Sequence, residues 1–180
     1  MSPALELTSV PAWATAPTLP DADATGRWWT VIAFGPAGAE VARRWESQLG
    51  DCGHRSAVRT HDLAADDHDG ARAALAADLT DARVGWRLMM AGPADSCLRL
   101  RAAAMESGVA DDEMVVASTE VRGRAVQCVH CRTVTTADVE LSDVLPCRGC
   151  GRNLLVYYHV SRRQGAHLGY MVDAEEQGAR

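Results

Sequence analysis

The sequence contains no lysine, and all 18 of its basic residues are arginine. That excludes a Schiff-base lysine and the cation of a phosphate-binding P-loop. Aromatic residues make up only 5%, with a single phenylalanine, so any core is built mainly from small side chains, alanine above all. No run nears the roughly 18 apolar residues of a membrane span. The start, MSPALELTSVPAW, has neither the basic region nor the apolar run of a secretory signal. The expectation is a cytoplasmic chain with no membrane partner. Gly-x-Ser-x-Gly and His-Glu-x-x-His are also missing, so no catalytic residue is assigned and a self-sufficient enzyme is not the reading.

What is present is divided unevenly. Across 180 residues, 24 acids against 18 arginines give a net charge of −6, which disfavours a nucleic-acid partner. Between Val121 and Tyr170, however, seven arginines face three acids, a local balance of +4 that leaves −10 for the rest. An acidic front and a basic back point to two modules with different partners.

Residues 1–25 hold four of the seven prolines and show no period that buries a face, which reads as a flexible arm. Its Leu5, Leu7, Val10 and Trp13 are candidates for docking on a partner subunit. From Trp28 to Phe34 an apolar, strand-forming run ends at Gly35-Pro-Ala-Gly38, and Ala39–Leu49 follows with helical spacing. A weak strand (Ser56–Arg59), an alanine-rich helix (Gly70–Leu79), a strand (Trp86–Ala91), a second Gly-Pro-Ala turn, a helix (Asp95–Glu106) and a strand (Glu113–Ser118) complete an alternating order. That order predicts a small parallel Rossmann-like α/β sheet domain over 26–119. Residues 120–180 break into short pieces around cysteines, with strands expected at Ala125–Gln127 and Leu154–Val160.

Cys128-x-x-Cys131 and Cys147-x-x-Cys150, 15 residues apart, carry the most chemistry. Each turn can converge two thiolates on one ion, and two such turns make a closed tetrahedral sulfur shell, the pattern of a zinc ribbon. With no open position, the ion holds the fold and does not act on substrate. The same set can hold one redox-active iron, which keeps a rubredoxin-like electron carrier as an alternative. His130 reads as a surface residue, and Cys52 and Cys97 as buried small apolar residues.

Other candidates are weaker. Gly35, Gly38 and Gly92 lie in turns between a strand and a helix and could offer amides to a cofactor phosphate, though no complete glycine fingerprint is present. Tyr158, Arg162 and Arg163, near Arg152, Tyr157 and His159, form a basic, aromatic segment. It suits an acidic protein surface; a nucleic-acid-binding zinc-ribbon regulator is the remaining alternative.

The segment from Cys128 to Glu175, with its cysteine pairs followed by Ser161-Arg162-Arg163, Gly169 and Val172-Asp-Ala-Glu175, resembles the C-terminal domain of the DmmA-like subunit of dimethylamine monooxygenase. The front resembles the nicotinamide-binding half of ferredoxin reductases through Leu88-Met-Met-Ala91-Gly92-Pro93-Ala94, a helix, and Met114–Ser118. It departs from them at Ala91, where those enzymes usually place a cysteine. The resemblance implies an accessory, structural zinc-binding subunit of a complex that oxidatively N-demethylates a secondary amine with dioxygen and nicotinamide-derived electrons. Haem would sit in a catalytic partner subunit, and flavin and an iron–sulfur cluster in a reductase partner subunit.

Overall fold

The computed structural model describes residues 4–172. The Asp173 and Glu175 of the tail motif lie outside the described residues. Strand β1 (Trp28–Phe34) is buried from Trp29 onward, as expected for a strand covered on both faces. It leads directly into α1 (Gly35–Asp51). β2 (Val58–Leu63), α2 (His68–Leu79), β3 (Trp86–Pro93), α3 (Ala94–Glu106) and β4 (Met114–Glu120) follow. The four strands are parallel in the order β2-β1-β3-β4.

Alternate residues of the central strands feed two cores. Trp29, Val31, Ala33, Met89 and Ala91 meet Val41, Ala42, Trp45 and Leu49 of α1. Ile32, Phe34, Leu88 and Met90 meet Ala71 and Leu75 of α2 and Cys97, Leu100 and Ala104 of α3. Helices thus cover both faces, the doubly wound arrangement that the alternating sequence order predicts.

The second sheet comprises β5 (Gly123–Cys128), β6 (Val134–Asp138), β7 (Val144–Pro146), β8 (Asn153–Ser161) and β9 (Ala166–Met171), in the order β6-β5-β9-β8-β7. All neighbours are antiparallel except β5 and β9. The sequence predicted only β5 and β8. β6 alternates weakly, β7 has three residues, and β9 carries Gly169 at its centre, so none shows a local strand signal.

Several expectations are corrected. Gly35–Gly38 is no turn, because α1 begins at Gly35 with Pro36 in its first turn, where a missing N–H costs nothing. The proline-rich start is no loose arm over residues 4–25. It has short 3₁₀ turns at Leu5–Leu7 and Ala12–Ala14, and Val10 and Ala14 are buried against Ala94, Leu98 and Val160. Its carbonyls serve as acceptors for the two modules: Pro20 O for Trp45 Nε1 at 3.0 Å, Asp23 O for Trp29 Nε1 at 2.7 Å, and Ala14 O for Arg124 Nη1 at 3.0 Å. Among the four apolar residues read as partner anchors, Val10 and Trp13 therefore pack within the chain, while Leu7 stays exposed. Periodicity cannot detect such a strap, since its contribution is backbone acceptors and single side chains. Cys52 is exposed at the end of α1, whereas Cys97 is fully buried.

Candidate metal centre

The four cysteine sulfurs are brought together by two hairpins at one end of the second sheet. Cys128 ends β5 and Cys131 lies in the β5–β6 connection; Cys147 follows β7 and Cys150 lies in the β7–β8 connection. The two turns share one wiring. Cys128 N donates to Thr133 O at 3.0 Å and Arg132 N to Cys128 O at 2.8 Å; Cys147 N donates to Arg152 O at 2.8 Å and Gly151 N to Cys147 O at 2.9 Å. Arg132 and Gly151 occupy the same position of their turns, and both are left-handed, with φ of 65° and 71°. The second turn uses glycine there, and the first strains an arginine. Gly149 lies so close to Thr133 that a Cβ would overlap its side chain.

All four sulfurs lie within 4.8 Å of one another. The Cys128–Cys150 distance is 3.8 Å and the Cys131–Cys147 distance 3.5 Å. A tetrahedron with metal–sulfur bonds of about 2.3 Å has edges of about 3.8 Å, so the donor set fits one four-coordinate ion. Four thiols this close without a cation would repel as they ionise, and the surroundings already favour ionisation at one edge. The Thr133 hydroxyl and amide bring the Cys131 thiol down to about 6. The Arg152 amide lowers that of Cys150. Burial instead pushes Cys128 up to about 11, which puts its proton release on the ion's own charge. Thr133 is the functional residue that the cysteine spacing did not reveal; its only signal is its place two residues after Cys131.

The sulfurs also belong to a core. Cys128 and Cys147 are buried with Val126, Leu145, Leu154 and Val156, and Cys131 and Cys150 pack on the edge. His130 is exposed and accepts a hydrogen bond from Arg152 through Nδ1 at 2.9 Å, outside the sulfur set.

Residues 125–170, the segment that builds this centre, match the family model described as dimethylamine monooxygenase subunit DmmA-like, C-terminal domain. The segment that carries the four cysteines is therefore similar to the DmmA-like C-terminal domain. It is also 39% identical over 102 residues to the heme-dependent oxidative N-demethylase delta subunit of Ectopseudomonas mendocina (strain ymp). That match spans 57% of this chain and 57% of the relative, so the chain matches little more than half of the relative's length. No solved structure matches.

The remaining candidates sit elsewhere. Gly38 and Gly92 lie between α1 and the central strands. A Cβ on Gly38 would stand 2.5 Å from Ala91 O, and one on Gly92, whose φ is 148°, 2.6 Å from Phe34 Cβ. Close packing of α1 against β3 and of β3 against β1 accounts for both. Gly35 has a φ of 68° at the start of α1. Tyr158 is half-buried on β8, while its neighbour Tyr157 is exposed and stacks edge-on with Tyr170 at 5.2 Å. Arg162 and Arg163 are exposed in the β8–β9 turn, away from the sulfur cluster. No helix among the described residues is long and apolar enough to cross a membrane.

Proposed function

We propose that this chain is an accessory subunit of a haem-dependent oxidative N-demethylase, in which Cys128, Cys131, Cys147 and Cys150 hold a structural zinc ion. The observation that carries the reading is the closed four-sulfur cluster inside the segment that matches the DmmA-like domain. Zinc bound there supplies folding free energy and leaves no coordination position for substrate. Modules comprising residues 26–119 and 120–180, bound together by the N-terminal strap, would bridge a haem-bearing catalytic subunit and a flavin and iron–sulfur reductase subunit in the cytoplasm. The catalytic residues for the amine would lie in those partners. Tyr158, Arg162 and Arg163 are the proposed contact residues on the basic module.

The test is co-expression of the tagged chain with its genomic neighbours. The expected result is a coloured complex that demethylates dimethylamine and falls apart when Cys147→Ser replaces the wild type. An intact, active complex with the metal-free variant would overturn the structural role. A second reading rests on the partial exposure of Cys131 and Cys150, which would give electrons a short path from a four-sulfur iron. Iron in place of zinc, with a thiolate charge-transfer band in protein from the native host, would select it.

A further inference from the structure

The β8–β9 turn is pressed onto the front module. Gly165, buried with a φ of 59°, lies against α3 so tightly that a Cβ would stand 2.5 Å from Leu98 O and 2.6 Å from Arg99 Cα. Ser161 O accepts both Gln164 N and Gly165 N, at 3.2 and 2.9 Å, which fixes the turn's shape. Its Arg162 and Arg163 are therefore held beside the helices of the other module. Between the turn, α2 and α3 lies a cleft of about 260 Å³ that continues into an outer groove of about 540 Å³. Arg72, Arg163 and Gln164 line both parts.

The cleft has an apolar floor and a cationic rim. Phe34, Ala71, Leu100 and Ala166 form the floor, each at most 2% exposed. Four arginines (Arg72, Arg99, Arg162 and Arg163) face two acids, Asp69 and Glu106, an excess of positive charge in a chain of net −6. Arg99 is committed to Asp95 at 3.1 Å, and Arg72 only loosely to Glu106 at 3.8 Å across exposed side chains. Arg162 and Arg163 have no ion pair among the described residues. At the wall, the buried Nδ1 of His68 has no hydrogen-bond partner among the described residues. Burial, then Arg99, lowers the pKa of that imidazole, so it is neutral and able to donate one hydrogen bond without adding charge. A buried polar atom left without a partner, beside guanidinium groups that are loosely paired (Arg72) or have no ion pair among the described residues (Arg162 and Arg163), is the arrangement that a bound oxyanion completes.

We propose that this inter-module cleft binds a small oxyanion-bearing molecule, a phosphate ester or a carboxylate, with Arg72 and Arg163 on the anion and the apolar body over Phe34 and Leu100. The site needs both modules, because α2 and α3 provide one wall and the β8–β9 turn the other. It lies on the α2 and α3 face of the sheet, whereas Gly35 and Gly38 are on α1, and it does not rest on the proposed complex. The concave walls favour a small molecule over a protein segment.

The test is amide chemical-shift mapping on the full, metal-loaded chain, titrated at constant ionic strength with inorganic phosphate, adenosine monophosphate, citrate and a hexaglutamate peptide. Saturable shifts confined to residues 68–72, 99–106 and 162–166 are expected with phosphate or citrate, and the stronger of the two names the oxyanion. Adenosine monophosphate should bind at least tenfold more tightly than phosphate if the floor takes the base. Arg163→Ala and Arg72→Ala should each weaken binding at least tenfold at unchanged melting temperature. Arg43→Ala, on the opposite helix layer, should change it less than twofold. Non-saturating shifts spread over surface arginines, or equal effects of all three variants, would overturn the proposal. Saturable shifts at these amides with hexaglutamate alone would overturn it in favour of an acidic protein partner.

Discussion

The two sheets of this chain are stabilised by different means. The parallel sheet has two cores, one on each face, filled by large side chains such as Trp29, Trp45, Phe34, Leu88 and Met90 at 0–1% exposure. The second sheet has one core of six buried residues, and two of those six are the metal-ligand candidates Cys128 and Cys147. A small domain with so little apolar surface to bury usually needs a cross-link or a metal. The front module is therefore expected to fold on hydrophobic burial alone, and the back module only when its sulfurs are bound. α3 joins the two: Asp95 Oδ1 accepts Ala125 N at 3.0 Å and Gly165 rests on its backbone.

The contrast is broken most severely at a ligand. Cys147→Ser should abolish stoichiometric metal binding, read by elemental analysis, and unfold the second sheet, because structural zinc contributes on the order of 10 kcal/mol to such domains. A variant that keeps both metal and melting temperature would remove the sulfur cluster from the account. Leu88→Ala, in the fully buried centre of the parallel sheet, should cost about 3 kcal/mol in urea unfolding while leaving the metal content unchanged. Loss of metal in that variant would show that the two cores are not separable.

A third prediction concerns the back of the second sheet, where His167 is 1% exposed and Arg124 Nη1 lies 3.3 Å from its Nε2. Burial, then Arg124, holds the imidazole down at about 4. The folded chain thus binds fewer protons than the unfolded chain between pH 6.5 and 4, and stability falls as pH drops through that window. Between pH 7 and 4.5, wild type should lose about 2.5 kcal/mol more than His167→Gln in paired denaturation curves. Parallel pH profiles for the two proteins would contradict the buried neutral histidine.

The smallest effect compares the two cysteine turns with each other. Arg132→Gly should relieve the left-handed strain and raise stability by about 0.5–1 kcal/mol, and Gly151→Ala at the matching position should lower it by about 1 kcal/mol. Equal shifts of the same sign would show that the turns are not equivalent.

The same contrast governs how much was legible in the sequence. β1, β3 and the three helices are long, periodic or continuously apolar, so their patterns locate them to within a few residues. The sulfur set was legible from spacing alone, because the chemistry of a tetrahedral ion dictates it. β6, β7 and β9 were not, since their residues pair through non-local register and have no periodicity of their own. The N-terminal strap escaped detection for a related reason: Pro20, Asp23 and Ala14 act through carbonyls, which every residue possesses. Thr133, Arg124 and His167 acquire their roles only once the second sheet has brought distant segments together.

Whether metal binding at the four cysteines closes the second core can be read from hydrogen–deuterium exchange on the full chain before and after metal removal by a chelator. Amide protection should be lost across residues 123–171 and retained across 28–120. Unchanged protection across 123–171 in the metal-free chain would contradict it.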